Sequence, residues 1–348
     1  MAVLKFNNVG ITAISACVPR NVSSNLDLSM EKEALEKLIG SIGIKEKRIA
    51  EVGVTSSDLC YQAAKKLMAD NDIKPESIDM LLFLTTTPDY IQPPTSSILQ
   101  HKLGLPTTTG CLDLSLACSG FVYALSSAFA YASISGINKV LVLVGETVSK
   151  IVNKKDYVNF PLYGDAGTAC LVEKGDFKES FFVLGADGSG ENSLKIPYGG
   201  FRYPLTADNL VDKIRENGNV RRDVDIVMDG MDTFSFAVRN LPQQVTQLMK
   251  EAEITPIDVD YLIFHQANRM MMEFIIKRLK FDPNKVPFCI EKYGNTSSAS
   301  VPLTIVSELA HKLEGEKRML LSTVGAGWSF GSAYISTNDI RVSQIIEY

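Results

Sequence analysis

Ser77-Ile-Asp-Met-Leu-Leu-Phe-Leu84 returns later in the chain as Asp258-Val-Asp-Tyr-Leu-Ile-Phe-His265, and each copy follows a helical stretch and a proline turn, Ile73-Lys-Pro75 and Ile254-Thr-Pro256. A second pair keeps the same order: Gly136-Ile-Asn-Lys-Val-Leu-Val-Leu-Val-Gly145 and Gly315-Glu-Lys-Arg-Met-Leu-Leu-Ser-Thr-Val324 are both loops that feed a buried strand. The spacing agrees too, with 61 residues from Asp79 to Val140 and 59 from Asp260 to Met319. Order and spacing kept together predict a duplicated α/β unit, residues 1–180 and 181–348, rather than a short-period solenoid. Apolar strands alternate with helical stretches throughout, the pattern of helices covering buried sheets.

The chain has 348 residues, 45% hydrophobic and 22% charged, a globular composition too long for one ordinary core. Lys+Arg number 35 against 40 Asp+Glu, a net charge of −5, and no stretch gathers the basic cluster that phosphate backbones require, so no nucleic acid partner is expected. No apolar run approaches the roughly 18 residues needed to cross a bilayer. Met1 to Gly10 lacks the charged and apolar regions of a secretion signal, so the chain is expected to be cytoplasmic, without membrane contact. The cysteines at 17, 60, 111, 118, 170 and 289 form no CxxC pair, so free thiols and no metal site are expected.

Cys118 stands in Asp113-Leu-Ser-Leu-Ala-Cys-Ser-Gly-Phe121, a strand-like stretch that turns into the helical run Phe121–Ser135. A thiol there faces the unpaired N–H groups of a helix start, which favour thiolate; a packed structural cysteine fits the same local pattern. His265 follows the strand Tyr261–Phe264, at the carboxyl end where α/β sheets gather ligands, and a hydrogen-bonded core histidine is the alternative. His101 and His311 fall in polar helical contexts. Asn295, in Tyr293-Gly-Asn-Thr-Ser-Ser-Ala-Ser300 ahead of a helix over 301–313, is alone no more than a turn and a cap. Val324-Gly-Ala-Gly-Trp-Ser-Phe-Gly331 predicts a tight turn between two strands, or backbone N–H groups presented to a ligand; it is not a phosphate loop. Gly185–Asn219, rich in Gly, Asn and Pro, predicts an irregular excursion, either a surface loop or the lining of a substrate entrance.

Taken together, Ala117-Cys-Ser-Gly-Phe121, His265-Gln-Ala-Asn268, Gly294-Asn-Thr-Ser-Ser-Ala-Ser300 and Gly325-Ala-Gly-Trp-Ser-Phe-Gly331 resemble the signatures of β-ketoacyl-acyl-carrier-protein synthase III, a condensing enzyme of the thiolase superfamily. The likeness runs from Val9-Gly-Ile-Thr-Ala13 and Ile42-Gly-Ile-Lys-Glu-Lys-Arg-Ile49 to the last glycine turn. It implies a thiolase-like α/β fold, two similar halves packed as α-β-α-β-α, and a homodimer. It further implies that Cys118 takes an acyl group from acyl-CoA or an acyl-carrier protein. His265 and Asn295 would then bind a malonyl-type thioester carbonyl, and the backbone N–H groups of Cys118 and Ala326 would form the oxyanion hole. Asn268, Arg269 and Gln92 are the substrate-binding candidates, and no cofactor is implied.

Departures from the family bear on the substrate. Lys37 and Ser41 stand where a Trp and an Arg sandwich adenine, Tyr157 replaces another Arg, and Met270 follows the His-Gln-Ala-Asn motif with Arg269 one place early. A helix turns about 100° per residue, which aims Arg269 elsewhere. Gln92 replaces an aromatic that members lend across the dimer. A carrier-bound or longer donor and altered chain selection are therefore expected, in fatty acid or specialised acyl biosynthesis. The alternatives are ester or amide formation without decarboxylation, and a catalytically silent partner subunit, which generally lacks the nucleophile. A thiolase would place a second cysteine where Ala326 stands, and no segment resembles the glutamate motif of a hydroxymethylglutaryl synthase.

Overall fold

The computed structural model describes residues 1–348, the side chain of Asn217 excepted. The two sequence copies fold to the same strand pair. Met80–Leu84 runs parallel to Lys139–Glu146 with Met80 opposite Val140, and Tyr261–Phe264 runs parallel to Glu316–Gly325 with Tyr261 opposite Met319. In each half the next strand turns back antiparallel, Ala166–Lys174 on the first sheet and Ser329–Asn338 on the second. Val9–Val18 and Ser180–Ala186 then add in equivalent places.

The chain's ends cross between the halves. Ala2–Phe6 pairs with Ser180–Ala186 in the second sheet, while Arg341–Val342 and Ile346–Glu347 pair with Val9–Val18 in the first. A cut at residue 180 therefore does not separate the sheets. Each terminal strand covers a row of N–H and C=O groups that an edge would leave unpaired.

Between the sheets lie the helices Gly120–Ala132 and Ser300–Leu309, and the first of these packs on strands of both sheets. Both are mostly apolar or small, as helices packed on more than one side must be, and Glu308 and Ala130 mark the ends that reach the surface. Ser56–Asp70 covers the outer face of the first sheet, and Gly230–Glu251 covers that of the second with Arg269–Leu279 against it. Strands covered on both faces explain runs such as Val140-Leu-Val-Leu-Val144, in which no residue faces water. The layers are α-β-α-β-α, with the thiolase-like fold that the motifs imply.

Two local features position the site. Glu316–Gly325 and Ser329–Asn338 are joined by the tight turn expected there, in which Gly327 has φ 97°, a conformation that strains any side chain. The Gly185–Asn219 excursion is irregular, with small ribbons pairing Leu194–Lys195 to Val227–Met228 and Lys213–Ile214 to Val220–Arg221. It carries Leu194 and Ile196 to the walls of the internal cavities.

Candidate active site

Parallel strands deliver their carboxyl ends to one place, and here the strands of both sheets do so around the amino ends of the two central helices. Cys118 sits in the turn between the strand Gly110–Leu114 and the helix Gly120–Ala132. His265 follows the strand Tyr261–Phe264, and Asn295 lies in the loop that enters the helix Ser300–Leu309. All three line one cavity of about 140 Å³, together with Tyr163, Phe234 and Met271. Cys118 also opens on a second compartment of about 150 Å³, walled by Thr86, Ile151, Tyr163, Ile196, Ser297 and Ala326. Cys118, Tyr163 and Leu194 line both spaces.

Burial decides the charges. Cys118, His265 and Asn295 are 7%, 5% and 6% exposed. Desolvation pushes the Cys118 thiol up to about 11, while a contact with Ser297 Oγ at 3.6 Å pulls the other way. This corrects the thiolate expected from the helix start. The helix does begin two residues on, at Gly120, but burial works against the charged form of the sulfur. His265 is pushed down to about 4 by burial and is therefore neutral, although the Ser297 carbonyl opposes the shift. Its Nδ1 stands 2.7 Å from Ser300 Oγ, a contact that fixes the ring.

Asn295 is held by its own backbone. Its N–H donates to the Leu162 carbonyl at 2.8 Å and its carbonyl accepts from Gly164 N–H at 3.1 Å. Its Oδ1 accepts from Ser297 N–H at 2.9 Å. Among the described residues neither the Cys118 nor the Ala326 amide donates to another residue, the Cys118 N–H lying against its own sulfur, and both residues line the second compartment. Gly325 makes their approach possible: a Cβ there would lie 2.8 Å from Ser119 N and 3.1 Å from Cys118 N.

The remaining candidates divide. Asn268 lines the cavity, but its side chain also caps the helix Arg269–Leu279 by accepting Met271 N–H at 3.2 Å. Arg269 is not brought into the cavity. Its guanidinium bonds Glu273 at 2.8 Å and lies over Phe288, outside the site. Gln92 is exposed on a loop and lines neither compartment of its own chain. Lys37 pairs with Glu33 at 2.7 Å, and Ser41 Oγ donates to the Leu38 carbonyl, so neither offers a flat surface to a base.

Ser297, Ser300 and Glu146 were not singled out from the sequence. Both serines lie inside the small-residue run that was quoted for Asn295, so position was the available signal. Glu146 carried none: it ends a strand in Val144-Gly-Glu-Thr147, yet it is fully buried and takes hydrogen bonds from Thr86 and Ser298. Burial raises its carboxyl to about 7.

Comparison with known proteins agrees with this geometry. The family model described as 3-oxoacyl-[acyl-carrier-protein] synthase III matches residues 112–188, and its C-terminal counterpart matches 249–337. The β-ketoacyl-[acyl-carrier-protein] synthase III of Caldanaerobacter subterraneus is 34% identical, over 94% of this chain and 97% of the relative. A crystal structure of a 3-oxoacyl-(acyl-carrier protein) synthase from Burkholderia xenovorans superposes with a TM-score of 0.92 at 32% identity, covering 100% of this chain and 99% of that one. The priming β-ketosynthase of the R1128 polyketide pathway superposes at 0.82 with 27% identity, over 97% and 99% of the two chains. With motifs, layer order and full-length likeness in agreement, the chain belongs to the 3-oxoacyl-acyl-carrier-protein synthase III family of condensing acyltransferases.

Proposed function

We propose that Cys118, His265 and Asn295 carry out acyl transfer followed by decarboxylative Claisen condensation. The observation that carries the reading is their convergence on one buried cavity. Cys118 takes the acyl group from a thioester, and the chain of that group lies in the second, largely apolar compartment. The Cys118 and Ala326 amides, which donate to no other residue, receive the oxyanion of the tetrahedral intermediate.

A malonyl-type thioester then enters the first compartment. Loss of CO2 leaves an enolate whose oxygen needs donors that do not protonate the carbanion. Asn295 supplies Nδ2, since its Oδ1 is occupied by Ser297 N–H. His265 serves as the second donor in the tautomer that carries its proton on Nε2, in which Ser300 Oγ, 2.7 Å away, donates to Nδ1. A carboxylate at either position would oppose the developing charge. The carbanion attacks the acyl-Cys118 carbonyl and releases the β-keto product.

Loss of the adenine clamp at Lys37 and Ser41 favours a carrier-protein donor over acyl-CoA. Six unpaired cysteines fit a reducing, cytoplasmic setting. The protein acts as a homodimer: Gly110–Leu114 is a sheet edge with exposed Leu112, beside the exposed Tyr90 and Ile91 that precede Gln92. In that assembly Gln92 faces the partner's acyl compartment.

The test is a donor screen, with acyl-CoAs set against acyl-carrier proteins and mass added to Cys118 as the readout. Carrier donors load faster by about tenfold, the ratio that ~1.4 kcal/mol of differential binding sets. No adduct from any donor rejects the reading.

A further inference from the structure

Cys118 faces a contradiction that the condensation chemistry must resolve: it has to be a nucleophile, yet its buried thiol is harder to ionise than a free one. His265 is a poor base, because burial holds it down to about 4. The structure offers another route. Cys118 Sγ lies 3.6 Å from Ser297 Oγ, and Ser297 Oγ donates to Glu146 Oε1 at 3.4 Å. The same Oε1 takes the Ser298 hydroxyl at 2.8 Å, while Oε2 takes the Thr86 hydroxyl at 2.7 Å and the Thr86 amide at 3.1 Å.

The backbone maintains this line at some expense. Among the non-glycine residues with positive φ, Ser297 is the buried one, at φ 50°. Its N–H is fixed by Asn295 Oδ1. Residues held in sparsely populated backbone regions persist where the surroundings over-determine them, and here the strain aims a hydroxyl between a thiol and a carboxylate.

We propose that Glu146 is a positioning residue that accepts the Cys118 proton through Ser297, so that the thiol ionises without adding net charge to the buried site. The step balances. The S–H bond breaks and its proton passes to Ser297 Oγ, while the Ser297 hydroxyl proton passes to Glu146 Oε1. The electron pair stays on sulfur, leaving a thiolate, an unchanged serine and a neutral carboxylic acid. When the thioester adduct collapses, the departing donor thiolate takes the proton back by way of Ser297. The inference rests on Cys118 being the acyl acceptor.

The surroundings suit one shared negative charge. On the helix Ser56–Asp70 the group facing Glu146 is the Cys60 thiol, raised by burial, with Asp89 acting on it from beyond. On the neighbouring loop it meets Thr85, Thr86 and Thr87. Across the cavity it meets Cys118 through Ser297. Its hydrogen-bond partners are hydroxyls and one amide, and no cation pairs with it among the described residues. The carboxyl, raised to about 7, is poised to be charged or neutral near physiological pH.

The test is the rate at which iodoacetamide, a neutral reagent, alkylates Cys118 across the pH range, read by intact and peptide mass. In the native protein the rate rises in a step near pH 7 as Glu146 becomes able to accept the proton, then runs level. Glu146→Gln and Ser297→Gly lose that step and alkylate about a hundredfold more slowly at about pH 8, the low end of what a positioned proton acceptor contributes. Glycine tolerates the positive φ, so the second variant removes the hydroxyl without adding strain. A Glu146→Gln protein that reacts as fast as native or faster overturns the proposal, because a carboxylate that merely repels the thiolate predicts that result. A native profile without the step overturns it as well, whatever the variants do. Alkylation needs no acyl donor, so this outcome is independent of the donor screen.

Discussion

Asn295 Oδ1 accepts the backbone N–H of Ser297 at 2.9 Å, and that single bond determines which end of the carboxamide is left for a ligand. Asn295→Asp keeps the acceptor and replaces the NH2 group with a second oxygen. The variant is expected to fold and to load Cys118 at close to the native rate. Its CO2 release from a malonyl carrier falls by about 10²–10³, the range for loss of one oxyanion donor. Labelled malonyl carrier measures the release, and intact mass measures the loading.

His265 supplies a prediction with a definite sign. Its ring titrates near 4 in the folded chain and from about 6.5 when unfolded. Between those values the unfolded state binds the extra proton, so the stability of the native protein is full above about 6.5 and is lost as pH falls toward 4. Glu146, raised to about 7, acts in the opposite sense over a largely overlapping window, so the comparison is made against His265→Asn. Urea midpoints of the two proteins, taken from about pH 7 downward, show native stability declining relative to the variant. A constant difference contradicts a buried neutral imidazole.

Gly325 is where backbone meets backbone. A methyl group there lies 2.8 Å from Ser119 N, and neither partner is the free end of a side chain. Gly325→Ala is therefore expected to displace the Cys118 turn, lowering the thermal midpoint by several degrees, as ~1–3 kcal/mol of overpacking does in a domain of moderate size. Acyl loading falls more steeply than stability, because the Cys118 amide moves with the turn. Loading rates at a temperature where the variant is folded separate the two effects.

How much of this was legible beforehand follows from where the information sits. The equivalent strands were written in the sequence because they repeat: Asp79-Met-Leu and Asp260-Tyr-Leu open them, and order and spacing survive folding, whereas their pairing and register came only with the structure. The convergence of Cys118, His265 and Asn295 on one cavity was legible through their motifs, which specify turns at the ends of buried strands. Glu146 was not, since its burial is created by Thr86 and Ser298, remote in sequence, which supply hydroxyls to a carboxylate that otherwise reads as solvated. The upward push that burial gives the Cys118 thiol was missed for the same reason: a helix start is a local feature, and enclosure is not. Arg269 shows the converse. Its ion pair with Glu273, one turn along the same helix, follows from spacing alone and removes it from the site.

Assembly gives a further expectation. The exposed edge Gly110–Leu114 leaves backbone groups available for pairing with a second copy. Sedimentation equilibrium is expected to give twice the chain mass, and Leu112→Lys, which places a charge on that edge, shifts the protein toward monomer. If Gln92 serves the partner's compartment, the monomer loads long acyl donors more slowly and short ones normally. A native protein that sediments as a monomer contradicts the assembly.

The most direct measurement follows a single thiol through both halves of the reaction. Acyl donor is added first, and the peptide containing Cys118 is weighed. Malonyl carrier protein is then added, and CO2 and the peptide are measured together over time. The mechanism predicts an acyl mass on Cys118 that disappears as one equivalent of CO2 is released and a β-keto thioester forms. An adduct that is discharged to water, an alcohol or an amine with no CO2, or CO2 release with Cys118 never acylated, contradicts it.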